Sequence, residues 1–182
     1  MAGKLIFLVG FMGTGKSTVA CHLAKQLGGI PVFEADRLIA EQDGRPIPDI
    51  FAESGEAYFR QLETNWLRAL AGDRPGVVSC GGGMAVAADN RALMKAKGQV
   101  VCLTAEPAAI LERTAGSDRP LLRGRRSERA VLAMLQEREA AYREAADLVI
   151  RTDEKKPEEV AREIKDSLTT AAPASRSPGK KL

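Results

Sequence analysis

The strongest constraint on this chain is a glycine-rich motif close to its start. Residues 10–17 read GFMGTGKS, which fits the pattern G-x-x-x-x-G-K-[ST] of a phosphate-binding loop. The motif lies between a continuous apolar run, 5–9, and a helical pattern that begins at Lys16, which is the context that such a loop requires. Its glycines let backbone N–H groups turn inward around phosphate oxygens, and the positive end of the following helix adds to the attraction. The motif therefore predicts a nucleotide-binding protein, although it does not identify a reaction.

Apolar runs alternate along the chain with longer segments of helical periodicity, which is typical of an α/β protein with a parallel sheet. Buried strands are predicted at 5–9, 30–33, 76–80, 99–103 and 148–150. Helices are predicted at 16–27, 36–42, 56–70, 89–97 (with Asp89 as a cap), from 107 onward, 127–145 and 158–167, and a polar, basic loop at 113–126. Right-handed crossovers would bring the carboxyl ends of the strands to one edge of the sheet, where ligands bind.

Length and charge fit a single globular domain. The chain has 182 residues and a formal net charge of +3, which is too small to indicate nucleic-acid binding by itself. No apolar run approaches the ~18 residues of a membrane span, and the apolar start leads into the phosphate loop rather than a cleavage site. Three scattered cysteines without metal-site spacing favour a reduced, cytoplasmic protein. We expect a monomer with no nucleic-acid or membrane partner, one folded domain at 1–168 and a disordered tail at 169–182.

Two large classes of phosphate-loop proteins fit the chain poorly. A GTPase would carry Asp-x-x-Gly after a strand and Asn-Lys-x-Asp for guanine, but here the first pattern, at 73–76, precedes its strand and the second is absent. A motor or transporter ATPase would usually end an apolar strand with an acidic pair, whereas the strand at 76–80 runs into a glycine triplet, 81–83. A compact metabolite kinase remains.

Beyond the phosphate loop, the chain carries several motifs that together resemble shikimate kinase. These motifs are Glu34-Ala35-Asp36, IPDIF at 47–51, GEAYFR at 55–60, the glycine triplet at 81–83, RPLL at 119–122 and YREAAD at 142–147. The resemblance covers roughly residues 4–166 and is much more specific than the phosphate loop alone. It implies a three-layer α/β fold like that of nucleoside monophosphate kinases, with a five-stranded parallel sheet, helices on both faces and a mobile lid at about 115–126.

The reaction implied by the resemblance is transfer of the γ-phosphoryl group of ATP to the 3-hydroxyl group of shikimate, in aromatic amino-acid biosynthesis, with Mg²⁺ as the metal ion. Lys16 would reach the β- and γ-phosphates, and the Ser17 hydroxyl would ligate Mg²⁺. Arg119, in the lid, would close over the phosphates and stabilise the transferring charge. Arg113 would stack on adenine, with Pro157 near the base. The full set of implied nucleotide contacts is Gly13, Thr14, Gly15, Lys16, Ser17, Thr18, Arg113, Arg119 and Pro157.

The resemblance also assigns the substrate contacts. Asp36 would orient the attacking hydroxyl and accept its proton late in the transfer, although its position alone is more typical of a helix N-cap. Arg60 and Arg138 would hold the substrate carboxylate, because a planar guanidinium can bond a carboxylate twice. Two solvated helix arginines are the alternative. The backbone N–H of Gly82 would meet the substrate, and a simple loop is the alternative there.

Three further assignments leave alternatives open. Phe51 and Phe59 would form a wall of the substrate pocket, although core packing explains both equally well. Glu34 stands where the family usually has Asp, whose carboxylate is implied to hold a Mg²⁺-bound water. Because glutamate is longer by about 1.5 Å, Glu34 would either serve through water or shift the geometry of the metal ion.

Two other functions remain open for the sequence. One is another small-metabolite kinase of the gluconate type, which should lack an arginine pair suited to a ring carboxylate. The other is a catalytically silent binding protein related to shikimate kinase, which only Glu34 favours. The basic loop is also compatible with a nucleic-acid patch, but no aromatic residues are interleaved with its arginines.

Overall fold

The computed structural model describes residues 5–115 and 127–170. Within these residues five strands form one sheet, in which every neighbouring pair is parallel. The strands are β1 (Leu5–Val9), β2 (Val32–Glu34), β3 (Gly76–Ser79), β4 (Gly98–Thr104) and β5 (Leu148–Arg151). Their order across the sheet is β2-β3-β1-β4-β5, so β1 lies in the centre. The predicted five-stranded parallel sheet is confirmed.

Helices cover both faces of the sheet. They are α1 (Lys16–Gln26), α2 (Ala35–Asp43), α3 (Ile47–Ala69), α4 (Ala88–Lys97), α5 (Pro107–Arg113), α6 (Glu128–Ala145) and α7 (Pro157–Thr170). Along β1, Leu5, Phe7 and Val9 pack against the helices from α2 to α6, while Ile6 and Leu8 pack against α1 and α7. The central strand is therefore apolar at every position, because each of its faces is buried.

Helix α3 begins earlier than the sequence predicted. The structure starts it at Ile47 rather than at residue 56 and joins two helical segments across Gly55, whose backbone is non-helical at φ 80° and ψ 169°. Pro48 lies in the first turn, where its missing N–H is tolerated, and Ile50 is fully buried. The proline and glycine that are typical of a loop therefore mark the start and the bend of a helix.

Two predictions about helix caps are corrected by the structure. Asp89 lies inside the first turn of α4, and the cap position is Ala87. The residue that precedes α2 is Glu34, so the N-cap alternative for Asp36 is wrong, and Asp36 lies inside the first turn of the helix. A side-chain cap does form at Ser127, whose hydroxyl accepts the backbone N–H of Ala130 at the start of α6.

Parts of the predicted lid and tail lie outside the described residues. The lid prediction, 115–126, is described only at Ala115, so Arg119 lies outside the described residues. Helix α7 includes Thr169 and Thr170, so the first two residues of the predicted tail are helical, and 171–182 are outside the description. In the described ranges, no helix has the length and apolar character needed to cross a membrane.

Candidate active site

The phosphate loop lies at the carboxyl end of the central strand β1. Gly13 and Gly15 have φ values of 79° and 89°, which a residue with a side chain would rarely adopt. Gly15 directly precedes α1, so the first N–H groups of that helix point towards the mouth of the loop. The N-cap residue, Gly15, has no side chain that could cap these N–H groups. The loop and the helix terminus together therefore offer donors to an anion such as phosphate.

The ammonium group of Lys16 lies across the loop. Its Nζ donates to the carbonyl oxygens of Gly10 and Phe11, each at 2.9 Å. The Phe11 carbonyl also accepts the hydroxyl of buried Thr14 at 2.8 Å, which fixes the loop from inside. Since charged phosphate oxygens are stronger acceptors than these neutral carbonyls, a bound polyphosphate can draw Lys16 towards itself.

A cavity of about 710 Å³ opens in front of the loop. Its volume falls in the range of about 300–1,000 Å³ that is usual for small-molecule sites. The lining brings together residues that are far apart in the sequence. From the predicted nucleotide and metal contacts it includes Gly13, Thr14, Gly15, Lys16, Ser17, Thr18, Glu34, Arg113 and Pro157. From the predicted substrate contacts it includes Asp36 and Gly82.

Oxygen atoms of Ser17, Glu34 and Ser79 meet beside the phosphate loop. The Ser17 hydroxyl donates to Glu34 Oε2 at 2.9 Å and lies 3.2 Å from the Ser79 hydroxyl. Such oxygens suit Mg²⁺, which commonly takes one or two protein ligands and completes its shell with water and substrate phosphates. Among the residues described, no group of three or more acidic, His or Cys side chains forms a complete protein cage. The oxygens therefore fit an ion that arrives with a nucleotide.

Arg113 connects the end of α5 to the loop that follows β5. Its Nη1 and Nη2 donate to the hydroxyl and the carbonyl of Thr152, both at 3.0 Å, and Nη1 lies 3.4 Å from the carbonyl oxygen of Gly13. Pro157, at the start of α7, lines the same end of the cavity. These contacts fix the guanidinium plane at the cavity wall, which suits the stacking role predicted for Arg113.

The glycine triplet 81–83 lies against two of the predicted substrate residues, Asp36 from α2 and Arg60 from α3. A side chain on Gly81 would collide with Asp36 and would come within 3.1 Å of Glu63 Oε1. A side chain on Gly83 would collide with the guanidinium group of Arg60. A side chain at either position would therefore displace the charged end of Asp36 or Arg60, which approaches the backbone directly.

Arg138 approaches the same triplet from α6. Its Nη1 lies 3.5 Å from the carbonyl oxygen of Gly82, and its guanidinium carbon lies 5.5 Å from the ring centroid of Phe11. Tyr142, one helical turn further on, donates its hydroxyl to the same Gly82 carbonyl at 2.5 Å. Arg60 and Arg138 thus reach the triplet from two different helices, α3 and α6.

Phe51 and Phe59 form an aromatic pair next to Arg60. Their ring centroids are 5.1 Å apart, and the guanidinium carbon of Arg60 lies 5.7 Å from the Phe59 ring. Phe59 is buried in the core and Phe51 is partly buried against it. The rings therefore pack in the core beside Arg60, as the core-packing alternative expects, and neither is among the residues that line the cavity.

Glu63 is a site residue that the sequence analysis missed. Its carboxylate is completely buried, and its Oε2 accepts Arg60 Nη1 at 2.7 Å. Its Oε1 has no hydrogen-bond partner in the described part of the chain. Burial raises the pKa of Glu63 to about 7, although the positive charge of Arg60 opposes this shift. The available signal was its spacing, because Glu63 lies four residues after Phe59 and four before Leu67, which are both buried.

Replacing Glu63 with glutamine is expected to change how stability depends on pH. The folded-state pKa of about 7 exceeds the usual 4.5, so the folded protein keeps a proton that the unfolded chain releases. The free energy of unfolding of the parent protein should therefore fall as pH rises from 4.5 to 7, by about 3 kcal/mol relative to Glu63→Gln. Urea unfolding at several pH values measures this difference. Glu56→Gln, at the exposed partner of Arg60, is the control, and parallel curves for the parent and Glu63→Gln would contradict the assignment.

The chain is similar to several curated proteins over most of its length. A family model described as shikimate kinase matches residues 12–169. A shikimate kinase from Geobacter sulfurreducens is 45% identical over 163 residues, which cover 89% of each chain. A shikimate kinase from Persephonella marina is 40% identical over 160 residues, which cover 87% of this chain and 95% of the relative.

Two solved structures also match the chain, one much more closely than the other. Shikimate kinase from Acinetobacter baumannii, in complex with shikimate, matches with a TM-score of 0.88 and 35% identity, covering 93% of this chain and 94% of that one. A gluconokinase from Sinorhizobium meliloti matches with a TM-score of 0.57 and 18% identity, covering 93% and 94%, and so shares the fold alone. The chain is thus more similar to the shikimate kinases than to this gluconokinase.

Proposed function

This chain belongs to the shikimate kinase family, and on that premise we propose that it transfers the γ-phosphoryl group of ATP to the 3-hydroxyl group of shikimate. It is an ATP-dependent kinase with the α/β fold of nucleoside monophosphate kinases. One observation carries the assignment of the site: a single cavity runs from the phosphate loop to Asp36 and Gly82, and Arg60 and Arg138 lie against the same glycine triplet.

On the donor side, the loop N–H groups and Lys16 bind the β- and γ-phosphates, and Arg113 with Pro157 holds the adenine. Arg113 suits this role because Thr152 fixes its guanidinium plane. Arg119 closes over the phosphates with the lid. The remaining proposed nucleotide contacts are Gly13, Thr14, Gly15, Ser17 and Thr18.

We assign the metal ion to Ser17 and Glu34, with Glu34 acting through a bound water. When bound, Mg²⁺ would neutralise part of the phosphate charge. The direct hydrogen bond of 2.9 Å between Ser17 and Glu34 supports this, because it keeps the longer carboxylate close to the hydroxyl that would ligate the ion.

On the acceptor side, Asp36 orients the 3-hydroxyl group and accepts its proton late in the transfer. Arg60 and Arg138 hold the carboxylate, and the N–H of Gly82 contacts the ring. Arg60 Nη2 donates to the exposed carboxylate of Glu56 at 2.7 Å, so the substrate carboxylate would replace Glu56 there. This reaction relies on positioning and charge stabilisation, which these residues supply.

We also propose that the protein acts as a cytoplasmic monomer, with no nucleic-acid or membrane partner. ATP is an intracellular phosphate donor, which agrees with a cytoplasmic location. The domain boundaries are proposed as 1–168 for the kinase and 169–182 for the tail, whose first two residues still belong to α7.

An ADP-release assay with shikimate and with gluconate tests the substrate. We expect turnover with shikimate alone, and Arg60→Ala should raise the KM for shikimate about 10- to 100-fold, since a charged hydrogen bond is lost. Arg68→Ala, an exposed position on the same helix, is the control. Phosphorylation of gluconate but not shikimate would overturn the substrate assignment. ATP binding without turnover of shikimate would instead support a silent binding protein.

A further inference from the structure

One carbonyl group receives two side chains from the same face of α6. The hydroxyl of Tyr142 donates to the Gly82 carbonyl oxygen at 2.5 Å, and Arg138 Nη1 lies 3.5 Å from that oxygen. Arg138 and Tyr142 are four residues apart, so they project from one side of the helix. Tyr142 is only 7% exposed, and burial raises its pKa to about 12, so it remains a hydrogen-bond donor at physiological pH.

The Phe11 ring supports Arg138 from the phosphate loop. Phe11 is 1% exposed, and its centroid lies 5.5 Å from the guanidinium carbon of Arg138. A ring face attracts a cation without neutralising its charge. No carboxylate in the described ranges pairs with Arg138, whereas Arg60 pairs with Glu56 and Glu63. The charge of Arg138 is therefore oriented by a ring and a carbonyl and is retained for an incoming anion.

The triplet and the phosphate loop are also in contact. A Cβ atom on Gly82 would lie 3.4 Å from the backbone nitrogen of Met12, so the backbone of Gly82 packs on the loop next to Phe11. A hydrogen bond that fixes the Gly82 carbonyl therefore limits how the triplet can tilt against the loop.

From this geometry we infer that Phe11 and Tyr142 form an aromatic clamp that positions Arg138 and Gly82 for the carboxylate and ring of the acceptor substrate. Both are positioning residues, since they act through Arg138 and Gly82. The inference rests on the proposed function, because it requires an anionic acceptor. It assigns Phe11, which lies inside the nucleotide-binding motif, to the recognition of the second substrate.

Steady-state kinetics of Tyr142→Phe and Phe11→Leu test the clamp. Each variant should raise the KM for shikimate about 5- to 10-fold, because the lost contact is one hydrogen bond or one cation–π pair. For Tyr142→Phe, the KM for ATP and kcat should change by less than about twofold, because Tyr142 touches neither the nucleotide nor the transferred group in this assignment. Tyr58→Phe is the matched control, since Tyr58 donates its hydroxyl to Asp43 away from the cavity.

A double-mutant cycle separates positioning from general stability. In an Arg138→Ala background, Phe11→Leu should lose most of its effect on the KM for shikimate, since its partner is gone, whereas Tyr142→Phe should keep the part that acts through the Gly82 carbonyl. An unchanged KM in Tyr142→Phe would overturn the inference, as would an effect of Phe11→Leu that persists fully without Arg138. If Phe11→Leu does not fold, Tyr142→Phe, which keeps the ring, decides the question. The parent protein's turnover of shikimate, measured in parallel, shows separately whether the proposed function holds.

Discussion

Replacing Asp36 with asparagine is expected to lower kcat about 10²- to 10⁴-fold with little change in the affinity for ATP. Asp36 lies in the first turn of α2, lines the cavity and approaches Gly81 so closely that a side chain there would displace its carboxylate. The amide keeps the size of the carboxylate but does not accept the proton of the attacking hydroxyl. Because the phosphate loop is unaltered, nucleotide binding should remain. Rapid-quench measurement of phosphoryl transfer, with calorimetry of ATP-analogue binding, would show both results.

Asp49→Asn provides the control for Asp36→Asn. Asp49 is exposed in the first turn of α3 and is absent from the cavity lining, so its replacement should leave kcat unchanged. A near-normal kcat in Asp36→Asn would contradict the role of Asp36 as proton acceptor. An equal loss of ATP-analogue binding would show instead that Asp36 supports the fold of the loop.

Replacing Lys16 with methionine is expected to lower kcat about 10²- to 10³-fold, the loss usual for a donor aimed at developing charge. Its ammonium group lies across the phosphate loop, 2.9 Å from two carbonyl oxygens, within reach of a terminal phosphate. Methionine has a similar length and no charge, so the loop should keep its packing. The binding of ATP should also weaken, since the contact proposed between Lys16 and the phosphates would exist before and during transfer.

Lys25→Met is the matched control for Lys16→Met. Lys25 is exposed in the last turn of the same helix, α1, so its loss should alter neither kcat nor nucleotide affinity. Single-turnover kinetics and a nucleotide titration of both variants would separate the two effects. Equal activity of the parent protein and Lys16→Met would contradict the assigned phosphate contact.

The sheet and its donor site could be predicted because their signals are local. The phosphate loop is one continuous motif, and the apolar run Leu5–Val9 directly indicates a strand buried on both faces. Asp36 lies just after β2, so its position at the cavity could be predicted from the rule that ligands bind at the carboxyl ends of parallel strands. The start of α3 was missed because Pro48 and Gly55 are also typical of loops. The burial of Ile50, which shows that this segment packs against the core, becomes visible only in the structure.

The long-range contacts of the candidate site could not be predicted in the same way. Tyr142 and Gly82 are 60 positions apart, and Ser17 and Ser79 are 62 apart. These contacts depend on how α6 and β3 pack near the phosphate loop, and this packing cannot be read from the spacing of residues in the sequence. Glu63 carries a buried charge whose partner, Arg60, lies three residues away, yet most such helix pairs are exposed and weak.

The central claim is that one cavity places the terminal phosphate of a nucleotide opposite a carboxylate-bearing cyclic alcohol. A crystal structure with a nonhydrolysable ATP analogue and shikimate tests it most directly. The expected result is a shikimate carboxylate within hydrogen-bonding distance of Arg60 and Arg138, and a 3-hydroxyl group between Asp36 and the γ-phosphate. Shikimate bound away from Asp36, or turned with its carboxylate towards Lys16, would contradict the claim.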